Sequence, residues 1–165
     1  MVSPVLMTKV HIPPMLPTVV MRPRLLKTLD ADLAQRRVTL LSAPAGYGKT
    51  TLIAAWIAYR RARDRDESPT TSLHTSLSDQ HTHFAWYALE DDDNDIVRFL
   101  TYLAVSLQHI APEASEDCLF ALQSHRPPTT TALLATFLNE IDARRTPVAL
   151  ALDDYHYIHL SLIHI

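Results

Sequence analysis

Both glycines of this 165-residue chain fall within one short segment, residues 43–51, with the sequence APAGYGKTT. Average usage predicts about 12 glycines in a chain of this length. Glycine is needed where the backbone adopts a positive φ or where another group approaches it closely. Because the chain uses glycine nowhere else, the sequence predicts that Gly46 and Gly48 form a backbone structure that a residue with a side chain would not allow.

The residues on either side of this segment restrict its role further. Residues 38–41 are a short apolar run, which predicts a buried strand, and the apolar spacing after Lys49 predicts a helix over residues 49–63. A strand, a glycine-bearing turn and a helix that begins with Lys-Thr match the phosphate-binding loop pattern, with Ala43 in place of its first glycine. Backbone N–H groups of such a loop, together with the start of the helix, bind anions.

In this interpretation the segment holds the phosphates of a nucleoside triphosphate, which we expect to be ATP with Mg²⁺. Lys49 supplies positive charge to the β- and γ-phosphates, and the Thr50 hydroxyl is a ligand of Mg²⁺. The predicted nucleotide-binding residues of the loop are Pro44, Ala45, Gly46, Tyr47, Gly48, Lys49, Thr50 and Thr51. The alternative is a tight strand-to-helix turn that binds no ligand.

The rest of the chain predicts an α/β fold. Further apolar runs at residues 84–89 and 147–152 predict two more strands, and helical spacing recurs over residues 24–36, 96–109 and 131–144. A strand followed by a helix, three times over, predicts a parallel sheet with helices on both faces, the three-layer sheet of P-loop NTPases. Residues 1–23 are rich in proline and predict an extended arm. Residues 64–82 predict a polar loop, and residues 111–128 are irregular or weakly helical.

Two acids follow the last predicted strand. Asp153 and Asp154 come directly after an apolar run, where a phosphate-binding loop needs an acidic partner for its metal. We expect Asp153 to hold Mg²⁺ with Thr50, and Asp154 to orient or deprotonate the attacking water, so that Lys49 and Asp154 are the predicted catalytic residues. The alternative is a pair of acids that opens a surface loop.

Composition excludes several other classes. The single cysteine, Cys118, allows neither an internal disulfide nor a cysteine-based metal site. No stretch reaches transmembrane length and no signal peptide is recognisable, so the sequence predicts a cytoplasmic location. The acidic run at residues 90–95 lacks the glycine and glutamate of a calcium-binding loop. We expect Asn94 or Asp95 to cap the helix that follows.

With these motifs placed, the chain resembles the N-terminal ATPase region of the large MalT-like, LuxR-family transcription regulators, which are signal-transduction (STAND) P-loop ATPases. Five segments carry the resemblance: Thr8-Lys9-Val10, RPRLL at 22–26, LLSAPAGYGKTTLIAAW at 40–56, AWYALEDDDNDIVRFLTYL at 85–103 and VALALDDYHYI at 148–158. The resemblance implies an ATP-driven switch and places Arg22 beside the adenine. It also implies a small-molecule or protein inducer, DNA binding through a C-terminal domain, and ATP-dependent self-association.

Two other functions remain open at this point. One is a stand-alone P-loop enzyme such as a small-molecule kinase, although only Arg98, Arg126, Arg144 and Arg145 follow residue 65 to serve a substrate lid. The other is a nucleotide-binding scaffold that does not hydrolyse ATP. The final LSLIHI, residues 160–165, resembles the translation of a sequencing-library adapter, and we expect it to be an artefact outside the fold. In the ATPase group that the chain resembles, a later strand lies between the phosphate-loop strand and the acidic strand, and another flanks the phosphate-loop strand. The sequence stops just after Asp153 and Asp154, so we expect residues 24–159 to be a partial P-loop domain that is inactive on its own.

Overall fold

The structure is a computed structural model, and it describes residues 5–15, 18–66, 81–124, 126 and 128–159. Its helices are α1 (Pro23–Gln35), α2 (Lys49–Asp66), α3 (Ile96–Leu107), α4 (Pro112–Gln123) and α5 (Thr130–Ala143). Its strands are β1 (His83–Ala88) and β2 (Val148–Asp153), and short 3₁₀ turns occur at Met7–Lys9, Asp91–Asn94 and Tyr155–Tyr157. Among these residues, no helix is both long and apolar enough to cross a membrane.

The chain divides into two compact units, which are described separately. Met1–His11 and Thr82–Ile165 form one, here called the strand unit, and Ile12–His81 forms the other, here called the loop unit. Within the described part of the strand unit, β1 and β2 are parallel neighbours, with Phe84 opposite Ala149 and Ala88 opposite Asp153. The predicted parallel α/β arrangement is thus confirmed for two strands, while the full three-layer sheet stays a prediction.

The core of the strand unit lies between the strand pair and α3, α4 and α5. Apolar side chains at helical spacing on α3, among them Leu100, Leu103 and Leu107, pack with Ala85 of β1 and Phe137 of α5.

The helix starts follow ordinary capping rules. The Asp95 side chain accepts a hydrogen bond from the Arg98 backbone N–H at 2.8 Å, as expected for the cap of α3. Residues 112–123, which show only a weak helical pattern in the sequence, form α4.

The loop unit contains α1 and α2. Asp30 on α1 joins the two helices, because its carboxylate accepts a hydrogen bond from Trp56 Nε1 at 2.8 Å and lies 3.5–3.6 Å from the guanidinium groups of Arg60 and Arg63. The three partners are four and three residues apart on α2 and therefore share one face of that helix. Leu26 on α1 and Ile57 on α2 are buried.

The prediction of a strand at residues 38–41 is wrong. These residues have no regular secondary structure, and Val38 and Leu40 are 83% and 81% exposed. A strand requires a neighbour for its backbone hydrogen bonds. Within the residues that the structure describes, β1 and β2 pair only with each other, so the apolar run has no partner strand. The predicted polar loop at 64–82 lies largely outside the described residues, and its first residues extend α2.

Candidate functional site

The loop that leads into α2 has the backbone that its glycines predicted. Gly46 has φ = 80° and Gly48 has φ = 78°, a region that residues with a Cβ rarely adopt. A Cβ added to Gly46 would meet no atom within 4 Å. The glycines are therefore needed for backbone conformation, and the surface of the loop at Gly46 is open. Helix α2 begins at Lys49, and Leu52 N–H donates to the Gly48 carbonyl at 2.8 Å.

The Lys49 side chain turns back over the loop. Its ammonium donates to the Ala43 carbonyl at 2.9 Å and to the Pro44 carbonyl at 3.2 Å. The same Pro44 carbonyl accepts a hydrogen bond from Tyr47 N–H at 3.4 Å, which closes the turn. Lys49 thus places a positive charge over the loop at the start of α2, where the helix dipole is also positive. Thr50 and Thr51 occupy the next two positions of the helix.

Arg22 lies close to this loop. It is the residue before α1, and its carbonyl accepts hydrogen bonds from Leu25 N–H and Leu26 N–H at 2.9 and 3.1 Å. The lining of a cavity of about 130 Å³ includes residues 19–22 together with Gly48, Thr51 and Leu52. Within the loop unit the structure therefore brings together Arg22 and the predicted phosphate-binding residues, which are far apart in sequence.

Asp153 and Asp154 lie together at the end of β2. Asp153 is the last residue of the strand and is buried, and its carbonyl accepts a hydrogen bond from Leu89 N–H at 3.0 Å. Asp154 has φ = 55°, and its N–H donates to Asp153 Oδ1 at 3.1 Å. Its own carboxylate is about half exposed and lies 3.8 Å from His156 Nδ1. The two carboxylates therefore have different surroundings, one enclosed and one accessible to solvent.

The predicted site residues fall into two groups. Arg22 and the loop residues belong to the loop unit, whereas Asp153 and Asp154 belong to the strand unit. Across the described ranges, no group of three or more His, Cys, Asp or Glu is placed to hold a metal ion by itself. A magnesium ion that is shared with phosphates needs only one or two carboxylates from the protein.

A buried ion cluster in the strand unit was not anticipated. Lys9 and Asp93 are 4% and 0% exposed, and Lys9 Nζ lies 2.5 Å from Asp93 Oδ2 and 3.2 Å from Glu90 Oε2. Arg98 Nε donates to Asp93 Oδ1 at 3.0 Å, and the Lys9 ammonium lies 4.6 Å from the centre of the Tyr102 ring. Burial alone would raise the pKa of Asp93, but hydrogen bonds from Lys9, Glu90 N–H and Arg98 hold it below its usual value.

A second unanticipated feature is Asn94. Its side chain contacts the backbone on both sides of Ile158, five residues after the acidic strand ends. The sequence predicts Asn94 or Asp95 as the cap of α3, and Asp95 fills that role. Lys9 and the acidic run were already part of the family resemblance, but no local pattern indicated that they would meet, because 81 and 84 residues separate Lys9 from Glu90 and Asp93.

The architecture and the loop define an α/β protein in which a two-glycine turn leads into a helix headed by lysine. No protein-family model matches the chain. It is 34% identical over 157 residues to the HTH-type transcriptional regulator MalT of Yersinia enterocolitica, 33% identical to that of Serratia proteamaculans and 34% identical to that of Yersinia pestis. Each comparison covers 95% of this chain and 15% of the relative. This chain therefore belongs to the MalT-like sequences and spans about one seventh of the length of these relatives.

Proposed function

We propose that this chain is the nucleotide-binding part of a MalT-like transcriptional regulator, which binds Mg²⁺-ATP as a switch and hydrolyses it slowly. The observation that carries the proposal is the loop itself. Two glycines at positive φ stand directly before α2, and the Lys49 ammonium lies over the turn that they form. A glycine turn with a cation over it and the positive end of a helix after it is an arrangement that favours anion binding.

The phosphates would bind between the loop and the start of α2. Lys49 now donates to two neutral carbonyl oxygens. The phosphate oxygens of a nucleotide are stronger acceptors for an ammonium, because they carry charge. The open surface at Gly46 leaves room for such a group, and the positive end of the α2 dipole favours it. Thr50 would supply its hydroxyl to the magnesium ion.

The base would lie in the cavity beside Arg22. Its volume of about 130 Å³ is below the roughly 300–1,000 Å³ of pockets that enclose a whole ligand. It therefore suits one planar ring rather than a complete nucleotide. The cavity adjoins Gly48 and Thr51, so a base held there would have its phosphates directed to the loop. This arrangement favours a nucleotide over an inorganic phosphate as the ligand.

Asp153 and Asp154 would take the roles that the sequence suggested. The enclosed carboxylate of Asp153 suits a magnesium ion, and the half-exposed carboxylate of Asp154 suits the orientation of a water molecule. Magnesium, when bound, would neutralise charge on the phosphates. A stand-alone kinase is less well supported, because every relative compared above is named as a transcriptional regulator.

The regulatory part of the proposal rests on the names of these relatives. They are HTH-type transcriptional regulators, and this chain corresponds to about 15% of their length. DNA binding through a C-terminal domain, the response to an inducer and ATP-dependent self-association would then belong to other parts of a longer cytoplasmic protein. The nucleotide state of the present chain would control those parts.

The test is the substitution Lys49→Ala in the full-length gene product, with ATP affinity measured by calorimetry in the presence of Mg²⁺. Loss of the ammonium should cost about 2–5 kcal/mol of binding free energy, the range for a charge removed from a close pair. Lys27→Ala is the matched control, because Lys27 is an exposed lysine on α1 in the same unit. Equal ATP affinity in the Lys49 and Lys27 variants would refute the phosphate-binding role.

Turnover then separates a switch that hydrolyses ATP from a scaffold that only binds it. Phosphate release should be slow but measurable in the parental protein, and lower in Asp154→Asn. A parental protein that binds Mg²⁺-ATP and releases no phosphate would leave nucleotide binding in place and remove the hydrolytic part of the proposal.

A further inference from the structure

Asn94 connects two segments that the sequence keeps more than sixty residues apart. Its side-chain Nδ2 donates to the Tyr157 carbonyl at 2.8 Å and to the Asp91 carbonyl at 2.9 Å. Its Oδ1 accepts a hydrogen bond from His159 N–H at 2.7 Å. A primary amide has both a donor and an acceptor, so this one side chain satisfies the backbone groups on both sides of Ile158.

Ile158, which lies between the two hydrogen-bonded residues, is also fixed by packing. The Ile158 side chain packs against a small cluster of Tyr87, Leu89 and Tyr102. The backbone of residues 157–159 is therefore held by Asn94, and the side chain between the two hydrogen bonds is held by the core. This segment follows Asp154 directly through the turn Tyr155–Tyr157, in which Tyr157 N–H donates to the Asp154 carbonyl at 3.1 Å.

Asp154 itself has an unfavourable backbone conformation. Its φ of 55° lies in the left-handed region, which aspartate tolerates better than most residues but does not prefer. Such conformations persist where the surrounding structure holds them. The preceding residue is fixed by β2, and the following turn is fixed by Asn94. The direction of the Asp154 carboxylate thus depends on anchors on both sides.

Asn94 is held in turn by its neighbour. Asp93 precedes it, is completely buried, and accepts hydrogen bonds from Lys9, Arg98 and Glu90 N–H. These contacts fix the backbone of the turn Asp91–Asn94 against the strand unit. The Asn94 amide therefore extends from a rigid support rather than from a loose loop.

We propose that Asn94 is a positioning residue that holds Asp154 in its working orientation through the backbone of residues 157–159. The inference rests on the proposed function, because it assigns Asn94 a part in magnesium-dependent turnover of ATP. In this proposal Asn94 acts through the turn Tyr155–Tyr157 and does not contact the nucleotide. Its loss should therefore change turnover far more than nucleotide affinity.

The experiment compares Asn94→Ala with the parental full-length gene product. Amide hydrogen exchange should show faster exchange at residues 157–159, because His159 N–H loses its acceptor. Turnover of Mg²⁺-ATP should fall about 10–100-fold, the range for a reacting group displaced by a distant change, with the KM for ATP unchanged. Asn139→Ala, an exposed asparagine on α5, is the control and should leave both readings at the parental level.

A double variant tests whether Asn94 acts through Asp154. If it does, Asn94→Ala combined with Asp154→Asn should be no slower than Asp154→Asn alone, because residues that act as one unit are not additive. Additive losses, or parental turnover in Asn94→Ala, would overturn the inference and leave the proposed function intact. A parental protein with no Mg²⁺-dependent binding or turnover would overturn both. If Asn94→Ala does not fold, Asn94→Asp, which keeps the acceptor for His159 N–H but loses the donor to the Tyr157 carbonyl, is judged by turnover, KM and the double variant instead of by amide exchange.

Discussion

Two apolar runs of this chain look alike in sequence and differ completely in structure. Residues 38–41 and residues 147–152 each precede a predicted functional segment, the glycine loop in one case and the acid pair in the other. The second run forms most of strand β2, which is paired in register with β1. The first has no regular structure, and its Val38 and Leu40 side chains are exposed.

The difference shows that an apolar run needs a partner before it becomes a strand. β2 has β1 beside it and α5 leading into it, so its backbone groups are paired and its Leu150 packs against the helical core. Isolated extended segments are not stable in water, because their hydrogen bonds can be satisfied equally well by solvent. Local composition therefore specifies the tendency of a segment to become a strand, and a neighbouring strand decides whether the strand forms.

The largest expected effect concerns the buried ions that support the end of the strand pair. Asp93→Ala leaves the ammonium of Lys9 buried without its closest carboxylate, and should cost about 3–5 kcal/mol of local unfolding free energy. Asp92→Ala is the control, because Asp92 is 79% exposed and lies 3.8 Å from Arg98, and it should cost less than about 1 kcal/mol. Amide exchange over β1 and the turn Asp91–Asn94 measures both. Equal exchange in the two variants would show that the ion cluster does not support the strand pair.

The same carboxylate gives a pH dependence. The folded-state pKa of Asp93 is lowered, so its stabilising contribution is complete above the ordinary aspartate pKa of about 3.9 and is lost as the pH falls through the folded-state value. The difference in protection between the parental protein and Asp93→Ala should therefore shrink below about pH 4. A difference that stays constant down to pH 2 would contradict the lowered pKa.

A smaller effect tests the two apolar runs directly. Leu150→Ala removes a half-buried side chain that packs on the core and should cost about 1–3 kcal/mol, whereas Leu40→Ala removes an exposed one and should cost less than about 0.5 kcal/mol. Amide exchange of the 165-residue chain reports both. The same pair in the full-length gene product would sharpen the comparison, since a cost for Leu40→Ala there alone would mean that residues 38–41 gain a partner.

The smallest effect compares the backbones of the two turns that carry the predicted site residues. Gly48→Ala places a Cβ at φ = 78° with no atom closer than 4.0 Å, so its cost is purely conformational, about 1–2 kcal/mol. Asp154→Gly relieves the left-handed conformation at φ = 55° and should stabilise its turn by up to about 1 kcal/mol. Thermal unfolding of both variants shows whether each substitution lowers or raises the stability of the folded protein. Stabilisation by Gly48→Ala would contradict the conformation assigned to the loop.

Much of the local structure was accessible from the sequence. Helical spacing located α1, α2, α3 and α5 within one to three residues at most ends, and the run at 147–152 predicted β2. The two glycines predicted the positive φ values that the loop adopts. These features depend on residues that are close in sequence, where propensity, capping and backbone sterics act without help from the rest of the chain.

The candidate site was predictable only in part. The loop residues, Asp153 and Asp154 were identified from pattern, and Arg22 from resemblance. Their binding and catalytic roles stay predictions for the experiments above. In the sequence, Asn94 is only a candidate helix cap, and Lys9 only belongs to a segment that carries the family resemblance. No local pattern could assign their contacts, because each depends on a side chain that meets residues 63 to 84 positions away.

The sequence by itself thus determined where most helices begin and where the backbone needs glycine. Only the tertiary structure decided that β1 pairs with β2, that the run at 38–41 stays unpaired, and that Lys9 is buried against Asp93. The physical reason is distance along the chain. A cap or a positive φ is settled within a turn of backbone, whereas a strand or a buried ion pair is stable only when a remote segment supplies its partner.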